Sequence, residues 1–284
     1  MNGYGGSDLA QRGRQILIAL LIGGIAIGAF AIRGCQPGPF GRRQIVTLSP
    51  RQEIALGAQA YGEVLGKARV ISTGPVVRDV ETVTSRLIQA TRNPEFLRMT
   101  RLTQRPYEWE VKVVRSREAN AFCLPGGKMV VYTAILPICE TDAGLATVMG
   151  HEISHALARH GAERMAQQQM AQLGIGAAGA TLGNMDPQQR QSVMMVLNAG
   201  AQFGILRYSR KHESEADHIG LIYMARAGYP PEAAVEFWQR FGEFNKQQGG
   251  DTPWFLRTHP LDETRAKQLQ GWIPEAKQQA GQPR

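Results

Sequence analysis

His151, Glu152 and His155, in the run His151-Glu152-Ile153-Ser154-His155, are the residues whose types and spacing carry chemistry most plainly. On a helix, two histidines four residues apart project from one face, one turn apart. Their imidazoles can then reach one tetrahedral zinc from a single rigid element. A glutamate beside the first histidine can take a proton from a water that the metal activates, and hand one to a leaving amine. That chemistry is zinc-dependent hydrolysis of a peptide bond. The bland alternative is a helix surface that happens to carry two histidines and a glutamate.

The flanking residues favour the chemical reading. Thr141 or Asp142 can cap the start of a helix. Leu145, Val148, Met149, Ile153 and Leu157 then form an apolar stripe at helical spacing. A polar cluster inside such a helix is costly to bury, and a metal relieves the cost. The third ligand is expected downstream, in the segment from Ser209 to His218. A second amphipathic pattern starts there, continues through Ile219, Leu221, Ile222 and Met224, and ends at Gly228 and Pro230. Glu213 and Asp217 share a face, and Glu215 points elsewhere. One carboxylate can ligate the metal while the other orients a ligand histidine. Spacing alone leaves open a solvated acidic face beside Arg210 and Lys211.

Trp109 to Val114 alternates and is rich in valine, which predicts a strand. Pro125-Gly126-Gly127 signals a turn, and Lys128 to Tyr132 reads as the next strand. A strand beside a zinc cleft can take up an extended peptide along its edge. An ordinary hairpin is the alternative. Gln167 to Leu182 is rich in glutamine, glycine and alanine, and Gln191 to Phe203 is again helical in pattern. This stretch predicts either a mobile hairpin that gates a cleft or a loosely packed pair of surface helices.

Four ordered motifs together resemble one family. HEISH is followed by RYSRKHESEAD, is preceded by Asn120-Ala121-Phe122-Cys123-Leu124-Pro125-Gly126-Gly127, and is trailed by Thr258-His259-Pro260 with Arg265. The chain resembles the zinc metallopeptidase family of HtpX, the CAAX prenyl protease and the mitochondrial Oma-type protease. Within it the chain looks most like the periplasmic BepA-like branch, without that branch's helical repeat domain. The resemblance runs from about Leu48 to about Leu269. It implies one zinc per chain, held by His151, His155 and Glu213. It implies Glu152 as the base, Asp217 as the accompanying acid and Arg265 as a cation for the developing oxyanion. His259 is implied to lie near the zinc and to regulate access to it. Asn120, Ala121 and Phe122 are implied to form the substrate strand. Cys123 departs from the small apolar residue usual at its position. Without the resemblance, His259 reads as a loop residue and Arg265 as a surface cation. His160, His212 and His218 read as structural or solvent-facing.

The 284 residues suffice for one sizeable domain and an appendage, and 43% apolar content is ordinary for a globular protein. The net charge of +8 raises the question of nucleic acid, but the basic residues are scattered and no aromatic-basic motif interleaves them. No nucleic-acid partner is expected; anionic lipid headgroups suit a basic protein with a membrane segment better. That segment is Ile16 to Ile32, 17 uncharged residues flanked by arginines. The boundaries expected are a tail over 1–15, a transmembrane anchor or signal segment over 16–32 and a linker over 33–47. A metallopeptidase domain over 48–271 and a polar tail over 272–284 complete them. Ile32-Arg33-Gly34-Cys35 also resembles a lipoprotein cleavage box, which makes lipidation at Cys35 the alternative anchor. Pairing of Cys123 with Cys139 stays open.

The expected fold is α+β, mainly α. It is a gluzincin-type metallopeptidase with an HExxH helix, a small β-sheet beside the cleft and one N-terminal membrane segment. The expected function is zinc-dependent endoproteolysis of misfolded or unassembled envelope proteins, in the periplasm or otherwise outside the cytoplasm. A chaperone-like or scaffolding membrane protein that keeps the fold but holds itself inhibited is the alternative.

Overall fold

The computed structural model describes residues 5–181, 191, 209–247, 252–260 and 263–280. Its helices are α1 (Gly5–Gly34), α2 (Pro50–Lys67), α3 (Pro75–Thr91), α4 (Pro94–Thr100), α5 (Leu136–Cys139) and α6 (Asp142–Leu157). They continue as α7 (His160–Thr181), α8 (Arg210–Arg226), α9 (Glu232–Gln247), α10 (Trp254–Thr258) and α11 (Glu263–Ala280). The strands are β1 (Cys35–Pro37), β2 (Arg43–Ile45), β3 (Val70–Ile71), β4 (Glu110–Val114), β5 (Ala121–Leu124) and β6 (Lys128–Tyr132). The chain divides into two compact units.

The first unit comprises residues 1–36, 43–47 and 163–206. Its α1 contains an 18-residue stretch, Leu17–Gly34, of mean hydropathy 2.1 that is 11% buried. At about 1.5 Å per residue such a stretch is roughly 27 Å long, close to the hydrocarbon thickness of a bilayer. Leu17, Leu21, Ile22 and Ile25 are all exposed on it, an apolar surface that lipid would cover. The stretch from Gln167 to Thr181 is helical, within α7. Leu182 and most of the pattern read over Gln191–Phe203 lie outside the described residues.

The second unit holds residues 37–42, 48–162 and 207–284. Its sheet has the order β3-β4-β6-β5. The expected strands are β4 and β6, and they pair in parallel, Val113 opposite Val131. The hairpin is formed instead by β5 and β6, Cys123 opposite Met129. Gly126 and Gly127 close it, both at φ 89°, where a side chain would be strained. β5 is therefore an edge strand.

Helix α6 is buried from Gly144 to Leu157, as befits a helix apolar almost all round. Thr141 caps it by accepting from the Gly144 amide at 3.1 Å. Ser209 caps α8 in the same way, accepting from His212. Met149 and Ile153 of α6 pack in one core with Val83 and Leu87 of α3, Ile219 and Tyr223 of α8, and Phe237 and Phe241 of α9. Where α6 crosses α8, the backbones touch at Gly150 and Gly220. A Cβ on Gly220 would fall 2.9 Å from the Gly150 carbonyl carbon and from the His151 nitrogen. This close crossing brings the residue after Gly150 within reach of the residues one and two turns before Gly220. Arg159, at φ 62°, breaks the chain between α6 and α7. Its buried guanidinium pairs with Glu53 and donates to the Leu48 carbonyl at 2.7 Å.

Candidate metal centre

His151 and His155 stand one turn apart on α6, their Nε2 atoms 3.0 Å from each other. Helix α8 brings Glu213 to them. Its Oε1 lies 3.4 Å from His155 Nε2 and its Oε2 lies 3.5 Å from His151 Nε2. His259, just after α10, places Nδ1 3.1 Å from both His151 Nε2 and Glu213 Oε1. One ligand atom from each of the four residues lies within 4.8 Å of the others, and all four side chains are buried. Ligand atoms around a tetrahedral zinc, at bonds of about 2.0–2.1 Å, sit roughly 3.3–3.4 Å apart. The spacings of 3.0–3.5 Å between neighbouring ligand atoms are close to that.

The hydrogen bonds behind the cluster support a cation in its middle. His151 Nδ1 contacts Asp217 Oδ1 at 2.8 Å. A carboxylate only accepts, so Nδ1 carries a proton, and Nε2 of the neutral ring is the atom left to face a metal. His155 Nδ1 contacts His160 Nδ1 at 2.9 Å, and His160 Nε2 contacts Glu215 Oε2 at 2.8 Å. The same logic gives His160 its proton on Nε2, so its Nδ1 accepts from His155. His155 Nε2 is then also a lone pair. With His151 neutral, two lone pairs would stand 3.0 Å apart and repel, and a cation between them, either a metal or a proton on His151, relieves this. The residues therefore fit a metal held by nitrogen and carboxylate, the gluzincin donor set.

Glu152 lies on the other side of the cluster. Its Oε2 accepts a long bond of 3.4 Å from the Cys123 backbone amide on β5. Its Oε1 is buried and accepts no hydrogen bond among the described residues; His259 Nε2 stands 3.4 Å away. Burial pushes the Glu152 carboxyl above its usual range, against the pull of His259 and His151. Burial also works against charge on Glu213, but His259, His151 and His155 hold it well below the usual carboxylate range. Burial opposes a proton on His151 too, yet Asp217 and Glu213 push it up to about 9. Without a metal these carboxylates draw their positive charge from an imidazole.

Arg265 is not at the surface; it is 3% exposed. It donates through Nε and Nη2 to both oxygens of Asp217, at 2.7 and 2.8 Å. Its Nη1 reaches the Pro260 carbonyl and Glu213 Oε2, each at 2.9 Å. The guanidinium also lies over the Trp238 ring, 4.5 Å from its centroid. His259 is no loose loop residue: its amide closes α10 on Phe255 O at 2.8 Å, and its ring packs on the Phe255 ring.

Of the residues read as a substrate strand, Ala121 faces the helical core, while Phe122 packs on the far side of the sheet against Tyr132. Asn120 precedes β5 and accepts from the Tyr132 amide. The strand atom that meets the site is the Cys123 amide, which sequence reasoning passed over. Of the histidines read as structural or solvent-facing, His160 and His212 are buried and stacked at 4.5 Å, and Glu215 bonds His160. The density of histidines near the two motifs was the available signal. His218 is sandwiched between Phe40 and Trp272. Cys35, Cys123 and Cys139 are unpaired, and burial pushes the Cys139 thiol up to about 12.

Comparison with known proteins agrees with this geometry. The model of peptidase family M48 matches residues 83–273. The mitochondrial metalloendopeptidase OMA1 of Schizosaccharomyces pombe is 33% identical over 94% of this chain and 74% of its own length. The OMA1 of Saccharomyces cerevisiae is 31% identical over 95% and 77%. The beta-barrel assembly-enhancing protease of Escherichia coli is 29% identical over 89% of this chain, which spans 51% of that protein. Of the groups named by the sequence resemblance, the Oma-type and BepA-like ones are represented here, the mitochondrial proteins at higher identity than the branch expected to be most similar. The chain belongs to peptidase family M48 and is a metallopeptidase.

Proposed function

We propose that the chain is a membrane-anchored zinc endopeptidase that cleaves misfolded or unassembled envelope proteins. The observation that carries this reading is the convergence of His151, His155 and Glu213 next to the Glu152 carboxylate, all beneath an edge strand. His151, His155 and Glu213 would hold the zinc. When bound, zinc supplies a Lewis acid that acidifies a water and polarises the scissile carbonyl. Glu152 Oε1 receives the proton of the attacking water and returns one to the departing amine. A raised carboxyl suits both directions of that transfer. The free edge of β5 takes an extended peptide by main-chain hydrogen bonds, which read shape rather than side chains. That tolerance fits substrates recognised by being unfolded. Asp217 and Arg265 keep His151 and Glu213 in place.

The Leu17–Gly34 stretch serves as the anchor, in preference to lipidation at Cys35, and the catalytic domain lies outside the cytoplasm. One preparation tests anchor and metal together. The full-length chain should remain in carbonate-washed membranes. The detergent-solubilised enzyme should cleave casein, lose activity in chelator and regain it with zinc. Release by carbonate would remove the anchor, and cleavage that survives the chelator would remove the zinc.

A self-inhibited resting state is favoured by one observation, the position of His259 Nδ1, 3.1 Å from both His151 Nε2 and Glu213 Oε1. A fourth protein ligand closes a site that catalysis needs open. His259→Ala is expected to raise basal casein cleavage several-fold at matched zinc content. A loss of cleavage instead would assign His259 to substrate or transition state, and the gate would be wrong.

A further inference from the structure

We infer that Arg42 is a positioning residue for the metal ligand His155, acting through Glu215 and His160. The inference rests on the zinc reading of the site above. Both ligand histidines on α6 are backed by a carboxylate that an arginine grips at both oxygens. Behind His151 the pair is Asp217 and Arg265, described above. Behind His155 one imidazole is interposed, and the pair is Glu215 and Arg42. Arg42 Nε reaches the two Glu215 oxygens at 3.2 Å each, and Nη2 reaches Oε2 at 3.0 Å. The Glu215 side chain is 8% exposed and that of Arg42 is 25% exposed, so the bond is screened from water on the carboxylate side.

Every donor in this series points one way. The zinc-facing lone pair of His155 fixes its proton on Nδ1, that proton goes to His160 Nδ1, and the His160 Nε2 proton goes to Glu215. His160 is fully buried and lies flat on His212, which restrains its ring. Glu215 therefore accepts from two sides. With Arg42 gone it is held by His160 alone, and its carboxylate can swing toward the adjoining cavity of about 440 Å³. His160 then loses its acceptor, and the His155 ring loses the contact that sets its rotation. Outer partners of ligand histidines act in this way at metal sites generally.

Arg42 is itself delivered by a closed turn. Gly38 N donates to Arg42 O at 2.6 Å, and Arg42 N donates to Pro39 O at 3.0 Å. Phe40 in the same turn stacks on His218 at 4.8 Å, one turn of α8 beyond Glu215. The turn grips α8 at two points, and Arg42 follows the end of α1 at Gly34 by eight residues of chain. This turn thus reaches His155 through three side chains, Arg42, Glu215 and His160.

The test uses the full chain in detergent micelles, as wild type and as Arg42→Ala, Arg42→Lys, Glu215→Gln and Lys211→Ala. Zinc affinity is read by competition with a chromogenic chelator. Coordination geometry is read from the absorption bands of the cobalt(II)-substituted protein. Neither readout needs turnover. Arg42→Ala is expected to weaken zinc by about 10- to 100-fold and to change the cobalt spectrum. Arg42→Lys should recover part of the loss, since an ammonium keeps the charge but not the two-pronged grip. Lys211→Ala, which lines the same cavity, should match wild type. Wild-type affinity and spectrum in Arg42→Ala would overturn the inference. An equal loss in Lys211→Ala would also overturn it, by showing that cavity charge and not this contact matters. If Arg42→Ala does not fold, Glu215→Gln decides: weakened zinc supports the inference, and wild-type binding sinks it. A wild-type chain that binds no zinc removes the zinc reading and this inference together. Normal binding by wild type and Arg42→Ala alike removes the inference only.

Discussion

Glu152→Gln is expected to keep one zinc per chain and to lose casein cleavage by about 10²- to 10⁴-fold, the usual contribution of a general base. The argument is local. Glutamine has the shape of glutamate, so the packing of a 2%-exposed side chain on α6 is undisturbed. The contact between the Cys123 amide and Oε2, 3.4 Å long, needs only an acceptor, which the amide oxygen supplies. What disappears is the capacity of Oε1 to take a proton. His151→Ala is the contrasting variant, because it removes a lone pair from the cluster and should empty the site of most of its zinc. Metal analysis and cleavage on the same preparations separate the two losses. Cleavage by Glu152→Gln within tenfold of wild type would end the base assignment. Full zinc in His151→Ala would end the ligand assignment.

Arg265→Ala has the second large effect, on stability as well as on activity. The guanidinium serves two buried carboxylates, Asp217 and Glu213, and also packs on Trp238. Burial alone pushes the Asp217 carboxyl up, and Arg265 with His151 brings it below its usual value. Removing one partner of a buried ion pair costs about 3–5 kcal/mol, because the remaining charge stays dry and uncompensated. For a domain of this size that is a fall in Tm of roughly 6–20 °C, at 2–4 °C per kcal/mol. Arg265→Lys should recover only part of it, since an ammonium cannot bridge both Asp217 oxygens and Glu213 at once. Zinc affinity should fall in the same variants. Calorimetry of the zinc-loaded protein measures the first effect and chelator competition the second. A Tm and an affinity like those of wild type in Arg265→Ala would mean that the zinc alone holds Glu213 and Asp217 in place.

The parts legible in the sequence were those whose signal is local. Thr141, one of the two caps offered for α6, announces its helix because a cap needs a side-chain acceptor at one defined position. The stripe from Leu145 to Leu157 announces burial because its period is that of a helix. The pairing of β4 with β6 was not legible, because a parallel pair depends on where the intervening β5 goes, and no residue of β4 encodes that. His160 was left between a structural and a solvent-facing reading, because the left-handed turn at Arg159 ends α6 and starts a new axis, which buries the ring. Counting residues along a helix says nothing across such a break. Glu215 was set aside because it points away from Glu213. It does, and it bonds instead to His160, a histidine on another helix. Without the resemblance, Arg265 read as a surface cation, because charge alone does not reveal a buried carboxylate partner 48 residues earlier.

That long reach of Arg265 has a consequence for the birth of the enzyme. His155 leaves the ribosome 110 residues before Arg265, a lag of about 5–20 s at ordinary synthesis rates. Throughout that interval the paired histidines exist on a chain that lacks its last supporting helix. Glu213 arrives partway through, still without the cation that keeps it and Asp217 compatible. The cutting apparatus is thus completed only when nearly all of the domain that it could attack is already present to fold around it. A nascent chain therefore poses little danger to itself.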